Sequence, residues 1–138
     1  MQLPAEHAHF HALLSATPRG ARLARLLAVE WMRTREELPH GVTEAATQLV
    51  AELAANAATH GRVAGRSFRL ALLAHAGVLR IEVTDTRADA LPRRLSPSPD
   101  ADHGRGLLLV GALADRWGVG LGPAPRKTVW AEMDLPPT

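Results

Sequence analysis

The sequence predicts an α+β fold, a two-layer sandwich in which a mixed, mostly antiparallel sheet carries helices on one face. Three observations point there. Two helical stretches, bounded by capping residues, proline and glycine, fill residues 17–61. Two β-prone runs then flank Ala76-Gly77, the second alternating strictly between apolar and polar residues. A second pair of short β-prone runs, joined by a Gly/Pro turn, closes the chain at 117–135.

The elements follow in order. Residues 1–8 form a polar leader, and Phe10 to Ala16 suits an edge strand. Thr17-Pro18 opens the first helix, a cap hydroxyl followed by proline where its missing N–H costs nothing. Ala21, Leu23, Ala24, Leu26, Leu27, Val29 and Met32 carry it to about Glu37, and Leu38-Pro39-His40-Gly41 breaks it. Thr43 is the expected cap of the second helix, with Glu44 in its first turn and Gly61 as its stop. The hairpin of residues 67–75 and 78–85 turns Leu79, Ile81 and Val83 inward, Arg80 and Glu82 outward. Residues 86–103, proline-rich and without apolar periodicity, read as a long loop of the kind that serves as a lid. Gly104-Arg105-Gly106 opens a third helix from Leu107 to Asp115; strands at 117–121 and 127–135 complete a single domain spanning 1–138.

Composition excludes several classes. At 138 residues, 46% hydrophobic and 22% charged, the chain is an ordinary globular domain. Without cysteine it has neither disulfides nor thiolate zinc sites. No apolar run is long enough to span a membrane and no signal pattern opens the chain, which makes the cytoplasm the expected location. The pI of 10.3 coexists with a net charge of only +2, because nearly every basic residue is arginine and Lys127 is the sole lysine. Arginines scattered among acids, with no Tyr, two Phe and three Trp, argue against nucleic-acid binding. His7, His9 and His11 would share one strand face, yet no acidic or cysteine ligand lies nearby, so they read as surface histidines.

The chemistry concentrates on the second helix. Glu52, Asn56 and His60 recur at four-residue spacing in an otherwise small and apolar run, which aligns them along one face. A partly exposed face and a polar pair satisfied within the core are both open readings. So is a ligand site: an amide oxygen is a hard ligand suited to magnesium, and a carboxylate one turn away can accept a proton. Asp85, ending a strand, is a turn aspartate or an acceptor for an exocyclic amine. Gly104-x-Gly106 before a helix suits phosphate, although glycines closing a loop onto a helix are as common. The Rossmann fingerprint fails because no strand precedes these glycines and Leu109 takes the third glycine position; the phosphate-loop motif is absent.

Taken in order, Glu52-Leu-Ala-Ala-Asn56-Ala-Ala-Thr-His60-Gly61, Asp85 after a strand, Gly104-Arg-Gly106-Leu-Leu-Leu-Val and Lys127-Thr128-Val-Trp-Ala-Glu resemble the successive boxes of the histidine-kinase-like ATPase (GHKL, or Bergerat) fold. The chain is most similar to small actinobacterial ATP-binding regulatory proteins related to anti-sigma factor serine/threonine kinases, over about Phe10 to Leu135. The resemblance implies ATP and Mg²⁺ as cofactors. It makes Asn56 the magnesium ligand and Glu52 the catalytic group that orients or deprotonates the attacking hydroxyl. Asp85 would bind the adenine amine with support from Thr128. Gly104 and Gly106 would present N–H groups to the phosphates, Arg105, Leu107 and His60 lying close by, with the 86–103 loop as ATP lid. Where the family pattern continues Asp-x-Gly-x-Gly, this chain runs Asp85-Thr-Arg-Ala-Asp89, so the backbone approaches a nucleotide less freely.

Two functions follow from the resemblance. One is an ATP-dependent protein serine/threonine kinase acting on a small anti-anti-sigma-type partner. The other is a non-catalytic module that sequesters a sigma factor or another regulator. A homodimer is compatible with both, whereas direct nucleic-acid and membrane contacts are not expected. A sensor histidine kinase is disfavoured, since the first helix carries no exposed phosphoacceptor histidine.

Overall fold

Eight elements alternate in the computed structural model, which describes residues 8–59, 67–86 and 102–137. They run β1 (Ala8–Ser15), α1 (Pro18–Arg33), α2 (His40–Thr59), β2 (Ser67–His75), β3 (Val78–Asp85), α3 (Asp102–Leu113), β4 (Arg116–Leu121) and β5 (Lys127–Asp134). The strands form one sheet in the order β1-β2-β3-β5-β4, and every neighbouring pair is antiparallel. The α+β expectation therefore holds, with the sheet wholly antiparallel rather than mixed.

Local chemistry explains the ends of the helices. Thr17, in extended conformation, caps α1 by accepting the Gly20 N–H at 3.0 Å, while its hydroxyl also meets that of Ser15 at 2.8 Å. α1 stops at Arg33, short of the expected Glu37. There the chain tightens: Thr34 N–H donates to Trp31 at 3.2 Å, and the Thr34 hydroxyl reaches the same carbonyl at 2.8 Å. α2 starts three residues before the expected cap. The Pro39 carbonyl accepts from Thr43 N–H at 3.0 Å, and the Thr43 hydroxyl donates back to His40 at 2.9 Å, so Thr43 lies inside the first turn. Gly61, the expected stop, lies outside the described residues. α3 begins at Asp102 and ends at Leu113, because Asp115 joins the sheet instead: its N–H donates to Glu132 at 2.9 Å and its carboxylate accepts from Asp134 N–H at 2.7 Å.

The hairpin turn between β2 and β3 has positive φ at both central residues, 53° at Ala76 and 76° at Gly77, the twist that a two-residue antiparallel connection requires. Alternation then sorts the side chains. Phe68, Leu70 and Leu72 of β2, Leu79, Ile81 and Val83 of β3, and Val129, Ala131 and Met133 of β5 face the helices and are buried with Leu49, Val50 and Leu53 of α2. Each large apolar side chain removed from water in this way contributes about 1.5–3 kcal/mol. Gly20, Ala24, Ala28 and Met32 form the buried stripe of α1, which packs on α2 and β1. No helix among the described residues is long and apolar enough to cross a membrane.

The opposite face of the sheet is polar. Arg80 bridges Glu82 at 2.6 Å and Glu132 at 2.8 Å, and Arg116 bridges Glu132 at 3.0 Å and Asp134 at 2.6 Å. Arg80 also lies 4.5 Å from the centre of the Trp130 ring. Gly118 leaves room for that ring, since a Cβ there would come within 2.9 Å of it. Arg116 first, then Arg80, holds the Glu132 carboxyl below its ordinary value against the opposing effect of burial, and Arg116 does the same for Asp134.

Two predictions follow from this packing. A Cβ at Gly20 would overlap the Ser15 carbonyl oxygen, so Gly20→Ala should cost about 1–3 kcal/mol, read as a lower urea midpoint. The depressed carboxyls of Glu132 and Asp134 stabilise the fold above their unfolded pKa, about pH 4. That stability is lost as pH falls through the lower native values. Glu132→Gln should therefore be less stable than wild type at pH 7 and converge with it in acid. Parallel urea curves at all pH values would contradict this assignment.

Candidate functional site

The site begins with α2, which packs against β2, β3, β5, α1 and α3. Its apolar arc, from Ala46 and Leu49 through Leu53 to Ala57 and Ala58, is buried. Glu52 and Asn56, one turn apart, sit at the margin of that arc and are half-buried. Neither side chain makes a hydrogen bond or ion pair with the described residues. A carboxylate and an amide held half out of water and unengaged by the described residues are suited to a polar ligand. His60, the third member of the row, lies outside the described residues, as do residues 87–101 of the expected lid; its last two positions, 102 and 103, belong to α3.

Asp85 is the last residue of β3 and points to the helix-covered side, only 4% exposed. Directly across the ladder stands Lys127, the first residue of β5, 3% exposed. The lysine Nζ lies 3.3 Å from Asp85 Oδ2, a salt bridge sealed into the interior. Removing one member of such a pair leaves a buried charge uncompensated, at a cost of about 3–5 kcal/mol. Next along the chain, the Thr86 hydroxyl oxygen is inaccessible to solvent and has no hydrogen-bond partner among the described residues.

Thr128 is placed differently from expectation. Its hydroxyl is bonded to that of Thr84 at 2.7 Å, and both residues have the opposite strand parity to Asp85, on the polar face of the sheet. Lys127, not Thr128, is thus the β5 neighbour of Asp85. The signal was present in the alternation of β5: Lys127 shares its parity with Val129, Ala131 and Met133, and Thr128 with Trp130 and Glu132.

The glycines are also shifted relative to expectation. Gly104, Arg105, Gly106 and Leu107 all lie within α3, which starts at Asp102. In an α-helix the N–H groups of the first three helical residues lack intrahelical acceptors, so within α3 the available donors belong to residues 102–104, ahead of Gly106. An anion would meet the first turn, ahead of Gly106.

The donor set fits a nucleotide better than a metal ion by itself. No group of three His, Cys, Asp or Glu capable of holding a metal occurs among the described residues. Magnesium commonly keeps waters and binds through one or two protein oxygens plus substrate phosphates. The Asn56 oxygen, unengaged among the described residues, is compatible with that arrangement.

The family model for the histidine kinase-like ATPase domain matches residues 14–131, and the chain belongs to that family. An ATPase domain implies ATP as its ligand. Among solved structures, the chain is similar to the RsbU and RsbW domains of Rv1364c from Mycobacterium tuberculosis, at 23% identity and a TM-score of 0.70. The match covers 93% of this chain and 32% of the mycobacterial one, so this chain spans about a third of that relative. It is also similar to the SiaB-SiaC complex from Pseudomonas aeruginosa, at 10% identity and a TM-score of 0.58, covering 90% of this chain and 88% of the other. At these identities the likenesses establish a shared fold. No curated protein matches the chain.

The sidedness of β5 predicts that Thr128→Val leaves ATP affinity unchanged and costs only the Thr84 contact, about 1 kcal/mol of stability. Titration calorimetry alongside urea unfolding separates the two effects. A large loss of affinity would return Thr128 to the nucleotide site.

Proposed function

We propose that this protein binds Mg-ATP and acts as a protein serine/threonine kinase of the anti-sigma type, regulating transcription through a small cytoplasmic protein partner. The observation that carries the reading is the Glu52–Asn56 pair, half-buried, one helical turn apart and without a hydrogen bond or ion pair among the described residues. Asn56 would hold the magnesium that accompanies the phosphates. Glu52 accepts the proton of the partner's hydroxyl as its oxygen bonds to the γ-phosphorus, and the bond to the β-phosphate oxygen breaks to release ADP. Such transfer depends mainly on positioning and charge stabilisation, which the α3 N–H groups and a lid at 86–101 would supply. His60, Arg105 and Leu107 are proposed to border the phosphates.

A second reading is favoured by one specific observation. Asp85 is already paired with Lys127, and the Asp-x-Gly-x-Gly pattern is missing after it. Those features suit a module that binds a sigma factor or another regulator without transferring phosphate.

Asn56→Ala should weaken Mg-ATP binding by at least about tenfold, roughly 1.4 kcal/mol, in titration calorimetry. With labelled ATP and candidate anti-anti-sigma-type partners, Glu52→Ala should abolish phosphate transfer while retaining nucleotide binding. Equal affinities of wild type and Asn56→Ala would refute the binding assignment. Transfer that survives Glu52→Ala would refute the base, and a wild type that binds partner and ATP without transfer would select the second reading.

A further inference from the structure

The two edges of the sheet are built differently. β1 is outermost in the order β1-β2-β3-β5-β4, and among the described residues only β2 pairs with it. All of its residues from Ala8 to Ser15 pair one to one with β2, so no bulge bends the strand away. It contains no proline, lysine, arginine or carboxylate. Natural sheets protect an open edge with such residues, with bulges or with short strands, because unpaired N–H and C=O groups invite another strand. β4, at the opposite edge, follows that pattern. It has six residues, begins with Arg116, holds Gly118 and Gly120, and runs on into Pro123 and Pro125.

Leucines flank the β1 edge on both faces of the sheet. Leu14 faces the helices, so Leu13 lies on the polar face, where it is 73% exposed. On the other face α1 sits over β1: a Cβ at Gly20 would meet Ser15, and the Trp31 ring lies 6.5 Å from that of Phe10. At 3.6 residues per turn, the inward arc of α1 runs from Gly20 and Trp31 through Ala24 to Ala28 and Met32. Its far end meets α2, which lies over β2, β3 and β5. Leu27 and then Leu23 continue the arc past its β1 end, on the flank that overhangs the open edge. Leu27 is half-buried and Leu23 is 46% exposed.

We infer that two copies of this chain join along the β1 edge. A strand edge is self-complementary in an antiparallel pair about a two-fold axis, because the same donors and acceptors then face one another. The two five-stranded sheets become one continuous sheet. A second copy brings the same leucines to the junction, Leu13 on one face and Leu23 and Leu27 on the other. Backbone pairing sets the direction, and burial of these leucines supplies the driving force that hydrogen bonds exchanged with water do not. The pleat limits the register: opposite residues share a face, so odd positions meet odd and even meet even. A symmetric pairing centred in the strand therefore sets either His11 or Ala12 opposite its own copy. This interface draws on neither Glu52 nor Asn56, and it stands whether or not they bind a nucleotide.

Sedimentation velocity on the full chain at about 100 µM should show a dimer of the 14.8 kDa chain. Leu13→Lys combined with Leu23→Lys, both at exposed positions, should raise the dimer dissociation constant at least about tenfold and leave the far-UV circular dichroism unchanged. The chain has no cysteine, so a single introduced thiol reports the register. Under mild oxidation either His11→Cys or Ala12→Cys should give a disulfide-linked dimer, whereas Ala112→Cys, on the exposed side of α3, should not. A wild type that stays monomeric overturns the inference, as does a dimer that withstands the double lysine variant. If neither His11→Cys nor Ala12→Cys cross-links beyond the level of Ala112→Cys, any dimer is held by another face and the inference is equally overturned.

Discussion

The register of β3 against β5 is the constraint on which the rest of this structure depends. Pairing Ile81 with Ala131 and Val83 with Val129 puts both apolar rows under α2. The same register brings Asp85 opposite Lys127 at the end of the ladder. A slip of one residue would turn every β5 side chain to the other face, exposing Val129 and Met133 and burying Glu132. Hydrophobic burial therefore fixes the register, and the register sets a carboxylate and an ammonium together in the interior. The ion pair is a consequence of the core, since a buried pair by itself is weak evidence for stability.

On the other side of the sheet, the same alternation produces the ladder of Arg80, Glu82, Glu132, Arg116 and Asp134. The Arg80–Glu132 and Arg116–Glu132/Asp134 pairs cross between strands, so β3, β4 and β5 are tied on the polar face as they are packed on the apolar one. Part-exposed pairs of this kind contribute little singly, and more as a connected network. The sheet is thereby held as a rigid platform for α2, on which Glu52 and Asn56 stand at the margin of the buried arc. A site that must orient a nucleotide benefits from residues carried by such elements more than from residues on loops.

Much of this was legible in the chain. Ala76-Gly77 between β-prone runs announced the central hairpin, and Thr17-Pro18 announced α1 to the residue. Glu52, Asn56 and Asp85 stood out because polar residues in apolar surroundings call for a partner. Element ends were less legible: Thr43 has capping chemistry, yet Pro39 supplies the first helical acceptor, so α2 begins earlier. Gly104 and Gly106 look like a loop before a helix, but Asp102 already begins α3. In both places several residues have the chemistry to start a helix, and packing of the whole element chooses among them.

By itself the sequence determined the periodicities, the hairpins and the fold class, and it singled out the candidate site residues, because these follow from local spacing and side-chain chemistry. Only the tertiary structure decided which strand residue meets Asp85. Thr128 and Lys127 are adjacent in the chain and differ by one step of strand parity. The choice between them belongs to the long-range pairing of β3 with β5 beneath α2, where burial of Val129, Ala131 and Met133 carries Lys127 inward and leaves Thr128 with Thr84 on the polar face.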